Sequence, residues 1–214
     1  PYREKWVQEI PDYKTLAQLP KLELLSHRSG LGFNSRALRL QNCAQEVVEQ
    51  HKGQLPKDRA QLLELPWIWP YTASAICAFA WNLPEPVIDT NIRRVLIFLL
   101  KLDEWISLQE LEKEAKKLIP EWRSRDRHNA LMDYGATYLT ARKTKIKSLW
   151  KQSKFEGSDR EVRGWILKQL TKKKWKLAIA LIKQEFPHKE VEKIMHDMQN
   201  EQLIKWEEKH VWIE

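Results

Sequence analysis

Residues 62–96 read LLELPWIWPYTASAICAFAWNLPEPVIDTNIRRVL, and this segment is the most informative part of the chain. A short apolar helix leads into a tight turn at residues 65–70, and Pro70 is well placed in the first turn of a second helix. The pattern predicts a helix-hairpin-helix, which presents backbone N–H groups at a helix N-terminus, a natural site for phosphate. Asp89 begins a third helix, and an aspartate in that position is usually an N-cap.

Helical periodicity continues on both sides of this segment. It predicts helices at residues 2–10, 22–28, 35–51, 59–65, 70–80, 90–100, 108–118, 124–139, 158–174, 177–186 and 188–202. Ser35 is the expected cap of the longest one, and Gly53 lies beyond its end. Strand-like alternation occurs at residues 203–214. Three helices followed by a hairpin predict a small winged-helix-like module at the end of an otherwise all-α chain.

The composition excludes several classes of protein. Apolar residues make up 43% and charged residues 31% of the 214 residues, which is typical of a globular chain. Since no apolar run approaches the roughly 20 residues of a membrane span and no signal peptide precedes Pro1, we expect no membrane partner. Cys43, Cys77 and the six histidines lack metal-ligand spacing, which predicts no metal site and fits a reducing cytoplasm.

The charge balance indicates a polyanionic partner. The net charge is +8 with 37 basic residues, and nearly all of the excess precedes Glu156. The segment RKTKIKSLWKQSK, residues 142–154, contains many basic residues and no acidic one. It is predicted to be an exposed linker that either contacts phosphates or is simply solvated.

Several segments together resemble one family of DNA repair enzymes. They are PYREKWVQEI (1–10), SGLGFNSRA (29–37), HKGQLP (51–56), LPWIWPYTASAI (65–76), VIDTNIRRVL (87–96) and HNALMDYGA (128–136). In this order they resemble the helix-hairpin-helix-GPD DNA glycosylases, and within them the A/G-specific adenine DNA glycosylases. The tail segment FEGSDREVRG (155–164) resembles the start of a small C-terminal module in some bacterial members.

The resemblance implies two catalytic carboxylates. Asp89 matches the aspartate that faces the sugar of the flipped nucleotide, where it stabilises the positive charge that develops as the glycosidic bond breaks. Glu9 matches the general acid and base, which protonates the adenine ring and then helps to activate water. Without the resemblance, Asp89 is a plain helix cap and Glu9 is a solvated helix residue.

The resemblance also implies contacts with substrate or DNA by Trp67, Trp69, Tyr71, Thr72 and Asn91. Tyr71 occupies the position where bifunctional relatives carry a lysine that forms a Schiff base. Because that intermediate needs an amine, the tyrosine implies a monofunctional hydrolase with water as nucleophile. Asn91 matches an asparagine that helps to position the site, and the alternative is a residue that caps the helix start.

The chain departs from the family pattern in its aromatic residues. Trp67, Trp69 and Trp122 stand where relatives have glycine. The whole chain has 6 glycines and 11 tryptophans, whereas average usage predicts about 15 glycines. Two explanations stay open: the indoles pack as aromatic core, or the gene uses a codon that its host reads as glycine and that is translated here as tryptophan.

Three other departures concern missing segments. A glutamine-rich helix that wedges into the duplex normally follows the position of Ile10, where this chain continues with PDYKTLAQL. The iron–sulfur cysteines that usually follow HNALMDYGA are absent, which implies a cluster-free subtype with no cofactor. The large C-terminal domain that reads 8-oxoguanine opposite adenine is also absent, so the opposing base stays open.

We therefore expect an all-α, two-lobed helix-hairpin-helix glycosylase core at residues 1–154, with its second lobe built from residues 1–10 and 101–154. Residues 155–214 are expected to form the winged-helix-like module. The expected function is base-excision repair of adenine mispaired with guanine or 8-oxoguanine, by a monomer on double-stranded DNA in the bacterial cytoplasm and nucleoid. The alternatives are a mismatch thymine or uracil glycosylase and a catalytically inactive DNA-binding module.

Overall fold

The computed structural model describes residues 2–27, 34–149, 153–173 and 176–214. Its helices are α1 Tyr2–Glu9, α2 Tyr13–Gln18, α3 Lys21–His27, α4 Ser35–His51, α5 Arg59–Glu64, α6 Pro70–Ala80, α7 Thr90–Leu100, α8 Leu108–Lys117, α9 Ser124–Thr137, α10 Ala141–Thr144, α11 Asp159–Lys173, α12 Ile179–Glu185 and α13 Val191–Asn200. Its strands are β1 Leu177–Ala178, β2 Lys205–Glu207 and β3 His210–Trp212. The expected all-α class with a small C-terminal sheet is confirmed. Within the described residues, no helix is long and apolar enough to cross a membrane.

The sequence signals located the long helices well and missed the short elements. The helices α4, α6 and α7 have the bounds that periodicity predicts. The elements α2, α10 and β1 were not predicted, because each is too short to show a period. The expectation that Ser35 caps α4 is wrong by one position, since Asn34 occupies the N-cap position and makes no side-chain cap hydrogen bond.

The chain forms two compact units. The terminal unit contains Pro1–Leu55 and Ser153–Glu214, and the central unit contains Pro56–Gln152. The expected division at residues 154–155, with residues 1–10 joining 101–154, stays a prediction about domains. The compact units follow a different grouping, in which the two ends of the chain share one core.

The core of the terminal unit joins helices that are far apart in the sequence. Helix α2 packs against α4, and α3 packs against α11. Leu24 and Leu25 of α3 and Ile166 of α11 are among its fully buried side chains. Gln41 of α4 donates from Nε2 to the carbonyl oxygens of Leu16 (3.1 Å) and Leu19 (2.6 Å), which satisfies backbone acceptors at the end of α2.

The last part of the terminal unit has the arrangement expected of a winged-helix-like module. Helices α11, α12 and α13 accompany an antiparallel sheet with the strand order β1-β3-β2. Val211 of β3 pairs with Leu177 on one side and Trp206 on the other. Strand β1 has two residues and is followed directly by α12. Periodicity therefore predicts a single helix at residues 177–186, where the structure has a short strand and then a helix.

Helix α2 occupies the place in the sequence where the family resemblance implies a longer wedge helix. Asp12 caps this helix by accepting a 2.7 Å hydrogen bond from the Thr15 backbone N–H, and this bond is the main cause of its lowered pKa. Leu16 is the buried residue of α2. A six-residue helix anchored in this way belongs to the packed core of the terminal unit.

The central unit is built around the third helix of the informative segment. Ile92 and Leu96 of α7 are buried together with Leu111 and Ala115 of α8. Helix α7 also packs closely on α9. Met132 of α9 lies against this cluster.

Candidate active site

The predicted helix-hairpin-helix lies in the central unit, where α5 and α6 form its two arms. Asp58 caps α5 by accepting hydrogen bonds from the backbone N–H groups of Ala60 (2.9 Å) and Gln61 (3.0 Å). The Arg59 side chain donates from Nε to Ser74 Oγ of α6 at 3.1 Å, which joins the two arms. Pro70 stands in the first turn of α6, as the sequence predicts.

Two candidate DNA-contacting residues lie in the hairpin turn. Trp67 is 46% exposed and Trp69 is 64% exposed, so neither indole is part of a buried aromatic core. Trp69 occupies the N-cap position of α6 with extended backbone and makes no side-chain cap hydrogen bond. Trp67 has a positive φ of 66°. The interpretation of these indoles as packed aromatic core is therefore wrong.

Asp89 is the N-cap of α7. Its side chain accepts a 2.6 Å hydrogen bond from the Ile92 backbone N–H, so the plain cap role is real. The residue is partly buried, and one carboxylate oxygen is bound by the backbone of the first helical turn. A helix N-terminus also carries partial positive charge, which stabilises a carboxylate there. The cap thus fixes the position of a negative charge at the end of a rigid helix.

Tyr71 and Thr72 lie in the first turn of α6. Tyr71 is 49% exposed, and burial together with the charge of nearby Asp89 raises the pKa of its phenol. The phenol is therefore neutral at physiological pH and can donate a hydrogen bond. Thr72 is half-buried beside it. The charge of Asp89 therefore acts on the Tyr71 phenol, although the two candidate residues come from different helices.

Asn91 lies in the first turn of α7 and is held by a buried arginine. Its Oδ1 atom accepts a 2.7 Å hydrogen bond from Arg94. The same Arg94 side chain donates to the carbonyl oxygens of Gly135 and Leu139, each at 2.6 Å, so it ties α7 to the end of α9. Asn91 is half-buried and makes this contact with its side chain, so it is a structural link rather than a helix cap.

Gly135 allows the close approach of α7 and α9. A Cβ atom added there would lie 3.0 Å from Asn91 Cβ, 3.0 Å from Val95 Cγ2 and 3.1 Å from the Asn91 carbonyl oxygen. These distances are too short for an ordinary contact. The glycine therefore sets the spacing between the helix that begins at Asp89 and the helix behind it.

His128 supports the chain segment that precedes Asp89. It is fully buried, and its Nε2 atom accepts a 3.1 Å hydrogen bond from the Val87 backbone N–H. Its Nδ1 atom lies 2.6 Å from the Ser124 carbonyl oxygen, to which it donates. Burial lowers the pKa of His128, and the nearby Arg127 acts in the same direction. The imidazole is therefore neutral, with one nitrogen donating and the other accepting.

Glu9 lies in the terminal unit, at the end of α1. Its side chain is 41% exposed, and its carboxylate oxygens lie 3.0 Å from His27 Nδ1 and 3.8 Å from Lys5 Nζ. Glu23 also approaches His27, at 3.9 Å from Nε2. The edge of the Trp6 ring packs against the His27 ring, with 6.2 Å between the centroids. Glu9 thus contacts other side chains, whereas Asp89 accepts a hydrogen bond from a backbone N–H.

Three residues that support the candidate site were not predicted from the sequence. For His27 and His128 the sequence shows only the lack of metal-ligand spacing, and it assigns no role to Arg94. An arginine in the middle of the strongly apolar helix α7 is a usable signal, because a buried charge needs partners. The contacts of the two histidines join residues 18 and 41 positions apart in the chain, and no local pattern shows them.

The basic segment begins with the short helix α10. Arg142, Lys143, Lys145 and Lys147 are exposed, while Ile146 is buried and anchors the segment to the central unit. The Lys147 backbone N–H donates to Glu104 Oε1 at 2.9 Å. The expected exposed linker therefore begins as an ordered segment with exposed cationic side chains. The structure describes it as far as Leu149, and residues 150–152 lie outside the described part.

Metal-ligating side chains do not cluster in the described part of the chain. Among those residues, no group of three or more His, Cys, Asp or Glu side chains could hold a metal ion. Cys43 and Cys77 are buried free thiols in different units, and burial raises the pKa of each. The expectation that the protein needs no cofactor stays a prediction.

Comparisons with known proteins identify the family. A sequence model of the HhH-GPD superfamily of base excision DNA repair proteins matches residues 1–121. The adenine DNA glycosylase of Mycolicibacterium smegmatis is 31% identical over 187 residues, which are 78% of this chain and 64% of that protein. The chain therefore spans less than two thirds of the length of this relative.

Two solved structures are similar to this chain over about two thirds of its length. A thermostable thymine-DNA glycosylase superposes with a TM-score of 0.63 and 26% identity, over 66% of this chain and 67% of that chain. Endonuclease III in a non-covalent complex with DNA superposes with a TM-score of 0.58 and 25% identity, over 65% of this chain and 66% of that chain. The sequence match covers more than half of the chain, including the hairpin and Asp89. This chain belongs to the HhH-GPD superfamily of base excision DNA repair proteins.

Proposed function

We propose that this chain is a monofunctional DNA glycosylase that hydrolyses the N-glycosidic bond of adenine mispaired with guanine or 8-oxoguanine. The observation that carries the proposal is the Asp89 carboxylate, fixed at the N-terminus of α7 by the Ile92 backbone N–H. The similarity to the adenine DNA glycosylase of M. smegmatis supports adenine as the base that is released. The product is an abasic site in the repaired strand.

Asp89 supplies electrostatic stabilisation. Breaking the glycosidic bond places positive charge on the sugar, and a preorganised negative charge lowers the energy of that transition state. The hydrogen bond from the Ile92 N–H holds one carboxylate oxygen and leaves the other available for the sugar. Because the helix cap already fixes the side chain, little reorganisation is needed when the charge develops.

Glu9 supplies proton transfer. A protonated carboxyl group donates its proton to the adenine ring, which makes the base a better leaving group, and the carboxylate then assists the attack of water. The 41% exposure of the side chain allows exchange of the proton with solvent. His27 orients the carboxylate through the 3.0 Å contact between its Nδ1 atom and Glu9 Oε2.

Tyr71 supports hydrolysis rather than lyase chemistry. A covalent Schiff-base intermediate needs an amine at this place, and a phenol with a raised pKa is neither an amine nor an oxyanion at neutral pH. Water is then the nucleophile. Tyr71, Thr72 and Asn91 are the residues of the central unit that we expect to line the substrate site.

The partner is double-stranded DNA that contains a mismatched base pair, bound by a monomer. The hairpin turn with Trp67 and Trp69 and the basic segment that begins at Arg142 contact backbone phosphates. The enzyme extrudes the nucleotide from the stack, because the glycosidic bond is inaccessible inside a duplex. The chemistry needs no cofactor. For this function we expect the protein to act at the nucleoid in the bacterial cytoplasm.

The test is a panel of duplexes that differ in one base pair. The protein is incubated with duplexes containing A opposite G, A opposite 8-oxoguanine, T opposite G, U opposite G, and a fully paired control, and abasic sites are revealed by alkaline cleavage. We expect cleavage at adenine in the first two duplexes and none without alkali. Strand cleavage that needs no alkali would contradict the monofunctional mechanism.

A thymine or uracil glycosylase is the second candidate. It is favoured by the structural similarity to a thermostable thymine-DNA glycosylase. The two carboxylates can serve a different base pocket, so release of thymine or uracil opposite guanine without release of adenine would establish this alternative. Binding to the duplexes with no abasic product would instead support a DNA-binding module without catalysis.

A further inference from the structure

Two tryptophans have a backbone conformation that tryptophan rarely adopts. Trp67 has a φ of 66° and Trp122 has a φ of 61°. In this left-handed region the Cβ atom of an L-residue crowds the neighbouring carbonyl oxygen, and for a bulky residue such a conformation is an outlier. Glycine adopts it without this cost because it has no Cβ.

Both residues occupy the same position in a turn. The Ile68 N–H donates to the Leu65 carbonyl oxygen at 3.3 Å, so Trp67 is the third residue of a four-residue turn. The Arg123 N–H donates to the Pro120 carbonyl oxygen at 3.3 Å, so Trp122 is also the third residue of such a turn. A turn whose third residue has a positive φ takes glycine or asparagine at that position.

Contacts of the backbone, not of the indole, hold the second turn. Asn82 Nδ2 donates to the Trp122 carbonyl oxygen, and Asn82 Oδ1 accepts from the Arg125 N–H at 2.9 Å. Arg125 in turn donates to the carbonyl oxygens of Phe79 (2.7 Å) and Ala80 (3.1 Å). The Trp122 side chain is 79% exposed. The surrounding structure therefore demands the conformation, and the side chain contributes little to it.

The other non-glycine residues with positive φ among the described part of the chain are of a different kind. They are polar residues at or just after helix C-termini, namely Lys52, Asn82, Lys101, Lys145 and Gln202. Left-handed residues are common at such positions. Within that same part, the two tryptophans are the aromatic residues in this conformation, and each lies inside a turn that connects two helices.

Three other tryptophans have indoles that the fold uses for packing. Trp6, Trp165 and Trp206 pack against the core of the terminal unit. The Trp165 ring meets the edge of Phe186, with 5.7 Å between the centroids. The chain has 6 glycines and 11 tryptophans, so it is short of glycine in the same sequence in which tryptophan stands at glycine positions.

We propose that residues 67 and 122 are glycine in the protein as its own cells make it. The codon at these two positions is then UGA, which the host reads as glycine, while the packed tryptophans are encoded by UGG. The inference goes beyond the proposed function and does not depend on it, because it rests on turn geometry and composition. With glycine at residue 67, the hairpin turn keeps one indole, that of Trp69 at the N-cap of α6.

The gene and the native protein give the direct test. The codons at positions 67 and 122 are read and compared with those at 6, 165 and 206, and peptides spanning the two turns are isolated from the native host and weighed by mass spectrometry. We expect UGA and glycine masses at 67 and 122, and UGG and tryptophan masses at the other three. UGG codons or tryptophan masses at 67 and 122 would overturn the proposal.

Recombinant variants test the physical argument separately. Trp67→Gly and Trp122→Gly are each compared with Trp105→Gly, which removes an indole that is 83% exposed and whose backbone is not left-handed. We expect each of the first two to raise the folded-to-unfolded ratio by about fivefold, because the strain they relieve exceeds the entropy that glycine adds to the unfolded chain. Trp105→Gly should lower that ratio. Equal or opposite effects would show that these turns do not demand glycine.

Discussion

The two proposed catalytic carboxylates are held in different ways. Asp89 is partly buried, and a backbone N–H of its own helix binds it at 2.6 Å. The Glu9 side chain is 41% exposed, and its carboxylate contacts the side chains of His27 and Lys5. One charge is positioned by the main chain of a rigid element, and the other by long side chains that can move.

This difference matches two kinds of chemistry. A carboxylate that stabilises charge in the transition state must already be in place, and a helix cap provides this preorganisation. A group that transfers protons must gain and lose them in each turnover, which requires access to solvent and some freedom of motion. The comparison therefore predicts that substitutions near Asp89 act through geometry, whereas substitutions near Glu9 act through proton transfer.

The largest effect is expected for Asp89→Asn. Asparagine caps helices about as well as aspartate, so this substitution removes the charge and keeps the fold. We expect the rate of base release under single-turnover conditions to fall by about 1000-fold, the scale on which removal of one preorganised electrostatic group slows an enzyme. Duplex affinity should stay within a few fold, because the charge acts on the transition state and not on ground-state binding.

Asp89→Ala separates the charge from the cap. It should lose activity to the same degree and also lower the free energy of unfolding by about 1 kcal/mol, the usual value of an N-cap. A stable, active asparagine variant beside an unstable alanine variant would show that Asp89 is a cap and nothing more. Urea unfolding of both variants supplies the comparison.

Glu9→Gln should lower the rate of base release by about 100-fold, because an amide can neither donate the required proton nor activate water. Glu23→Gln is the matched control, since Glu23 also contacts His27, at 3.9 Å, but is not proposed to transfer a proton. The control should keep nearly full activity. Equal losses in both variants would mean that the charge around His27 matters and that Glu9 has no special role.

The sequence predicted the helix cap at Asp89 well and the surroundings of Glu9 poorly. A capping residue is a local feature, so the pattern before α7 shows it directly, and the bounds of α6 and α7 followed from periodicity in the same way. The partner of Glu9 comes from α3, and the partner of the segment before Asp89 comes from α9. Such contacts depend on tertiary packing, which a local sequence pattern does not reveal.

We expect the DNA-binding surface to lie on the central unit, which contains both Asp89 and the basic segment. Replacing Arg142, Lys143 and Lys147 together by glutamine should weaken duplex binding by about tenfold and lower the salt slope of the affinity by about 0.9 for each phosphate that is no longer neutralised. Fluorescence anisotropy at several salt concentrations measures both. Lys14, Lys168 and Lys172 of the terminal unit are exposed and serve as the matched control triple. An unchanged slope in the first variant would mean that the basic segment is merely solvated.

Gly135→Ala tests whether the geometry behind Asp89 matters. The new methyl group would meet Asn91 and Val95 at 3.0 Å and push α7 away from α9. We expect a loss of about 1 kcal/mol in the free energy of unfolding, as the overpacking outweighs the gain in helix propensity. The rate of base release should also fall several fold.

Gly164→Ala is the control for Gly135→Ala, because this glycine is also helical and nothing lies within 4 Å of an added Cβ. It should raise the free energy of unfolding by a few tenths of a kcal/mol up to about 1 kcal/mol. Thermal or urea unfolding distinguishes the two. If both variants gain stability, the close approach of α7 and α9 does not depend on Gly135.

The smallest effect is expected from mild acid, and it should act through His128. The pKa of this buried imidazole lies below its ordinary value of 6.5, so the unfolded chain binds a proton that the folded chain does not. The stability contributed by the neutral form is complete above about pH 6.5 and decreases as the pH falls below that value. Carboxyl groups with lowered pKa, such as those of Asp12 and Glu110, lose their contribution only nearer their ordinary values of 3.8 and 4.5. The window from about pH 5 to 6.5 therefore separates the effect of His128 from that of these carboxyl groups.

We expect the unfolding temperature to decrease across this window in the wild type and to stay level in His128→Gln, whose side chain does not titrate. The same decrease in both proteins would assign the effect to another group, and the neutral histidine behind Asp89 would then be a packing residue alone.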